Sequence, residues 1–324
     1  MLRTLSITAG LVALGLSAPA SAQTTFQIGH SLSPNSHYQV GAQTFADLVA
    51  ERTNGRYRIE IAPGGSLGSE REMVEGVQLG TVDMVLTSMG TVGAFVPETL
   101  VLDLPFLFND AAHARAVIDG EIGAGLLEAV EAKGFRPLAW AENGVPGFVT
   151  RDRAIAKAED LSGLKMRVQA NELHTATFEA MGSQGVPLGF GEIYTAMQTG
   201  AIDGTYMVVP IVVTSNFWQV QSHMTMAPLF YQAAMFIMAP SAWDQLDDAD
   251  RAIFVEAARE AGVATRNAVE KAEAEGLATL REHGMTIATE YDRASFDRAL
   301  APVYERFADR IDPALVEKIR QQGN

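Results

Sequence analysis

Two hydrophobic periods alternate along the chain. Phe26-Gln27-Ile28-Gly29-His30 and Tyr57-Arg58-Ile59-Glu60-Ile61 have the two-residue period of strands, and between them Phe45, Leu48 and Val49 share one helical face. Ser69-Glu70-Arg71-Glu72 has capping-box spacing, with Ser69 as N-cap and Glu72 at the third position, so a helix should start here and stop at Gly80. Met84-Val85-Leu86 then reads as a buried strand ending at Thr87 and Ser88. Residues 101 to 108, VLDLPFLF, are apolar around Pro105 and suit a packed crossing segment better than a regular strand. Helical spacing follows over Ala112 to Leu127, then strand-like residues at Leu138 to Trp140 and Gly147 to Thr150.

One pattern occurs twice. Val77-Gln78-Leu79-Gly80-Thr81-Val82-Asp83 and Met197-Gln198-Thr199-Gly200-Ala201-Ile202-Asp203 both read as a helix end, a glycine stop and a strand start. The chain is therefore expected to be built from two similar α/β halves with a cleft between them. Between the two copies, a short apolar strand places Arg167 at its end, flanked by helices, where a fixed guanidinium suits an anion. Further on, Ala234 to Met238 reads as a buried strand, and Asp247 or Asp248 caps a long helical stretch. Unbroken, that stretch would run ~50 Å, so it either kinks near Gly262 or Gly276 or spans both halves.

The first 22 residues change the picture of where the chain works. Arg3, the apolar run Leu5 to Leu16, and the small residues Ala20 and Ala22 form a secretory signal pattern, with cleavage expected after Ala22. The apolar run is shorter than the ~20 residues of a spanning helix. With no cysteine in the chain there is neither a lipid-anchored lipoprotein nor a disulfide, and a soluble periplasmic protein is expected. The formal charge of −15 argues against nucleic acid and anionic membranes as partners. It also leaves capture of an anion to a local cation such as Arg167.

Catalytic motifs are absent. None of the six histidines has the spacing of the helical zinc motif, no G-x-S-x-G occurs, and the glycine-rich stretch Gly64 to Ser69 lacks the Lys-Ser/Thr ending of a phosphate loop. Neither a metal nor a cofactor is called for. His30, ending the first strand, lies where α/β proteins place ligand contacts, although packing alone would also account for it.

Five stretches carry a resemblance: Ser66 to Glu72, Val77 to Gly80 through Asp83, Leu104 to Phe108, Asp160 to Val168, and Glu192 to Tyr194 through Asp203-Gly204. In this order, behind a signal peptide, they resemble the substrate-binding subunits of tripartite ATP-independent periplasmic (TRAP) transporters, the DctP-like solute receptors, over essentially the whole mature chain. The resemblance implies an α/β, two-lobed periplasmic-binding-protein fold with a ligand cleft between the lobes and a long helix spanning both. One lobe would hold residues 23–144 with 233–272, the other 145–232 with 273–324. It also implies a monomeric receptor, not an enzyme, that binds a small organic acid and delivers it to membrane permease subunits.

Arg167 matches the family's hallmark arginine, with the expected role of a bidentate salt bridge to the ligand carboxylate; the alternative is a structural pair with a carboxylate such as Glu192. Phe190 matches a position that stacks on the ligand. His30, Thr87 and Ser88 would contribute from the opposite lobe, and Glu72 is a further candidate despite its place in the capping box. Other positions depart from the family pattern. An N-G-x-R stretch here ends in Pro146, a D-G-x-E-N stretch ends in Met207, and a histidine position aligns with Leu229, beside Phe230. These apolar replacements predict a dry far wall and a monocarboxylate with an apolar or aromatic part, such as a 2-oxo or 2-hydroxy acid, in preference to a sugar acid or a C4-dicarboxylate. Two other readings share the cleft: a secreted enzyme using His30 or His174 as a base, and a sensor for a membrane signalling partner.

Overall fold

The computed structural model describes residues 23–322. The expected signal segment, residues 1–22, lies outside them. The strands form two sheets, and each belongs to one lobe. The first runs in the order Tyr57–Ala62, Thr24–Gly29, Met84–Ser88, Gln232–Met238, Arg136–Gly144. In it Gln232–Met238 is antiparallel to both neighbours and the remaining pairs are parallel. The second runs Thr286–Ala288, His223–Thr225, Pro146–Thr150, Gly204–Val208, Lys165–Val168, Gln184–Pro187. Strands buried along their whole length, such as Met84–Ser88 and Gly204–Val208, have helices or loops over both faces, which is why they read as apolar runs rather than alternations.

The repeated motif does the same work in each sheet. Gly80 and Gly200 both stop their helices in the left-handed region, at φ 77° and 74°. The aspartate three residues on then tethers the neighbouring strand: Asp83 accepts the Gln27 N–H at 2.8 Å, and Asp203 accepts the Lys165 N–H at 2.8 Å. Each motif thus fixes a parallel strand pair, and the C-terminal ends of these strands, at Ser88 and at Arg167, face the cleft.

The chain crosses from the first sheet to the second through a single residue, Val145, and returns through residues 226–231. The returning segment is pinned to both lobes. The Tyr206 hydroxyl accepts the Leu229 N–H and donates to the Ala227 carbonyl, Phe106 donates its N–H to Leu229, and the Tyr231 hydroxyl donates to Glu142 at 2.7 Å. Glu142 is buried and takes two further bonds from Arg115, at 2.6 and 2.8 Å, while Arg115 also pairs with Glu270. Segment 101–108 is, as expected, no strand; its first part belongs to a 3-10 helix, Pro97–Asp103.

The long helix runs unbroken from Asp248 to Glu282, 35 residues. Of the two expectations for it, the kink is corrected and the span holds. Its glycines are points of close approach. A Cβ on Gly262 would sit 2.1 Å from the Trp140 carbonyl oxygen of the first lobe, and one on Gly276 would sit 2.6 Å from Val209 of the second.

Candidate functional site

Arg167 is buried in the interface between the lobes. Its Nε donates to the Leu188 carbonyl at 3.0 Å, which fixes the plane of the guanidinium and leaves its two terminal nitrogens for another partner. Burial pushes its pKa down to about 10, opposed by the nearby charges of Glu70 and Glu192, so it stays cationic at neutral pH. Those two carboxylates act through space. Glu192 caps its own turn by accepting the Gly189 N–H at 2.9 Å, and the structural pair between Arg167 and Glu192 is not formed.

Two adjoining cavities meet at Arg167, an inner one of about 20 Å³ and an outer one of about 200 Å³. Arg167, Glu70, Gln169 and Phe190 line both. Of the residues singled out from sequence, Arg167, Phe190, Met207 and Ser88 therefore converge on one space.

The others lie outside this lining, for reasons of local geometry. Thr87 is fully buried, but strand alternation turns it to the face opposite Ser88. His30 is behind the wall, with Nε2 3.2 Å from Gln39 and its ring edge-on to Tyr38; Tyr38 and Ser31 meet the cavity instead. Pro146 opens a strand opposite Val208, and Phe230 stacks on His174 with ring centroids 4.9 Å apart. Glu72 closes the capping box by accepting the Ser69 N–H at 2.8 Å, so Glu70, two residues earlier, faces the cavities.

The dry far wall is also corrected. Leu229, Phe230 and Pro146 pack behind the lining, and the inner cavity is bounded by Ser31, Ser88, Asn143, Gln169 and Gln232 as well as by Met207 and Ile211. Two of its buried polar atoms, the Tyr38 hydroxyl and the Gln169 Oε1, have no hydrogen-bond partner. Asn143 donates to Gln232 at 3.1 Å and accepts from His37 at 2.8 Å, so the His37 ring is the tautomer with its proton on Nε2.

Burial, partly offset by the bond to Asn143, lowers the His37 pKa to about 4. The folded protein thus binds this proton less tightly than the unfolded chain does. The corresponding stability is complete above the unfolded value of about 6.5 and is lost as pH falls toward about 4, at up to about 1.4 kcal/mol per pH unit. Urea unfolding between about pH 7 and pH 5 should show this slope in the wild type, and His37→Gln should reduce it by the His37 share, leaving the smaller share of His30, whose pKa burial also lowers.

The lobes touch directly beside this site. Gln169 donates to the Ser88 hydroxyl at 2.6 Å, Asn171 donates to the Gly90 carbonyl at 2.8 Å, and His174 Nε2 lies 3.2 Å from Asp103 Oδ2, both side chains being buried. All three contacts come from the few residues that follow Arg167.

The family model for DctP, "Bacterial extracellular solute-binding protein, family 7", matches residues 28–310. The chain belongs to this family. A solute-binding protein from Verminephrobacter eiseniae is 44% identical over 94% of this chain and 90% of that relative. The crystal structure of a TRAP periplasmic solute binding protein from Polaromonas sp. JS666, bound to D-erythronate, superposes with a TM-score of 0.90 at 42% identity, covering 92% of this chain and 98% of that one. Another TRAP periplasmic solute binding protein, from Bordetella bronchispeptica and with density assigned as pantoate, gives 0.89 at 34% identity, covering 93% and 99%. This DctP-family chain shares their two-lobed architecture.

Proposed function

We propose that the protein is the extracytoplasmic receptor of a TRAP transporter, closing its lobes on a small organic acid held by Arg167 and delivering it to membrane permease subunits. The observation that carries this reading is a buried guanidinium with only its Nε engaged, facing a cavity between the lobes. A carboxylate there would satisfy both terminal nitrogens in the bidentate geometry that arginine favours. The two lobes would be residues 23–144 with 233–272 and residues 145–232 with 273–324, hinged at Val145 and the returning segment. Turnover has no support in the cleft. His174 is paired with Asp103 and covered by Phe230, and His30 is walled off by Tyr38.

Within that reading the ligand is a short monocarboxylate bearing hydroxyls. The unpartnered Tyr38 hydroxyl calls for a ligand hydroxyl, because a buried polar group without a partner costs about 1–3 kcal/mol. Met207, Ile211 and Phe190 leave room for some hydrocarbon beside this polar group. D-erythronate, bound in the Polaromonas structure, and pantoate, assigned to the density in the Bordetella one, are both acids of this kind. A thermal-shift screen should give its largest shifts with such 2-hydroxy monocarboxylates, equivalent to about 2.7 kcal/mol at a hundredfold excess over Kd. A largest shift with galacturonate or succinate would overturn the ligand class; no shift with any carboxylate would overturn the receptor.

A further inference from the structure

Glu70 is the charged side chain that shares both cavities with Arg167. It sits at the first position of the Glu70–Leu79 helix, and two hydroxyls hold its carboxylate in place. Oε1 accepts from Ser31 at 3.0 Å, and Oε2 accepts from Thr91 at 3.0 Å. Each carboxylate oxygen can accept a second hydrogen bond. It is not in an ion pair with Arg167, on which it acts through space. The site therefore presents one cation for the ligand's carboxylate and, across a narrow space, one fixed anion that can only accept.

We propose that Glu70 sets the charge of the ligand. It accepts a hydrogen bond from a ligand hydroxyl remote from the carboxylate on Arg167, and it rejects an acid that places a second carboxylate there. A hydroxyl at that place gains an acceptor. A carboxylate there has no proton to give and meets a like charge on a half-buried side chain, where the repulsion is screened less than at an exposed surface. Glu192 adds to the negative potential from the outer cavity without reaching the inner one. The inference rests on the receptor reading above and narrows it to monoanions.

D-erythronate and meso-tartrate test this directly, because they differ at one terminal carbon: a hydroxymethyl group in the first is a carboxylate in the second. Isothermal titration of the full mature protein at neutral pH should show erythronate favoured over meso-tartrate by about a hundredfold or more, about 2.7 kcal/mol. In Glu70→Gln, which removes the charge and keeps the shape, that preference should shrink by at least about tenfold, through weaker erythronate and stronger tartrate binding. Glu70→Asp, which keeps the charge, should go on excluding tartrate; the unliganded melting temperature of each variant reports whether it is folded. Equal wild-type affinities for the two acids, an unchanged preference in folded Glu70→Gln, or tartrate binding by folded Glu70→Asp would each overturn the role of Glu70 while leaving the receptor intact. A wild-type protein that binds neither acid but another monocarboxylate would overturn the placement of the hydroxyl at Glu70. One that binds no carboxylate would overturn the receptor reading itself.

Discussion

Replacing Arg167 with alanine is expected to weaken ligand binding by about 2–5 kcal/mol, a loss of roughly 30- to 5,000-fold. The loss is large because the lobes close over the ligand, so its carboxylate would be left buried without a counter-charge. It would also sit near Glu70 and Glu192, which Arg167 now offsets. Lysine should recover only part. The bond from Nε to Leu188 that orients the present side chain has no counterpart in an ammonium, which also cannot make two parallel bonds to one carboxylate. Titration of the ligand into wild type, Arg167→Lys and Arg167→Ala should rank in that order. Binding by the alanine variant within threefold of wild type would remove Arg167 from the site.

The second large effect concerns the hinge. Glu142 is 1% exposed and is neutralised by Arg115 through two bonds, with Tyr231 as a third partner. Arg115→Ala leaves this carboxylate buried with one hydroxyl for support, and breaking a buried pair from one side costs about 3–5 kcal/mol. The melting temperature should fall by of the order of 10 °C. If desolvation of the orphaned charge is the cause, removing both charges should be far milder, so Arg115→Met combined with Glu142→Leu should recover most of the loss. A double variant as unstable as the single would point to packing of the arginine stem instead. The site should feel the single change as well, because Glu142 precedes Asn143, which lines the inner cavity.

Much of this molecule is legible in its sequence because local signals and tertiary demands agree. The Ser69 capping box, the paired glycine stops at Gly80 and Gly200, and the apolar strands they precede all form where the pattern places them. Arg167, Phe190, Met207 and Ser88 meet in one cavity for a related reason: each lies at or just past the end of a strand, where an α/β sheet opens to its cleft. Tyr38, Asn143, Gln169 and Gln232 come from separate segments, and hydrophobic periodicity reports burial, not which buried polar groups share a space. Glu70 was readable with one more step. A capping box engages the glutamate at its third position, so the acid at the first position is the one free to face outward. The dry wall failed because an apolar residue at or beside an aligned position, such as Phe230 next to Leu229, can be buried against the protein's own His174 as readily as against a ligand.

The bonds from Gln169 and Asn171 to Ser88 and Gly90 have a thermodynamic consequence. They favour the shut conformation whether or not the cleft is filled, so the affinity read in solution is the intrinsic affinity multiplied by the fraction of molecules already shut. Weakening such a bridge, for instance with Asn171→Ala, lowers that fraction for every acid alike, so rankings among ligands survive while all the dissociation constants rise together. Discrimination, set by Glu70, and residence time, set by a bridge such as that of Asn171, thereby rest on different residues, and evolution can retune how long a cargo is held without changing which cargo it is.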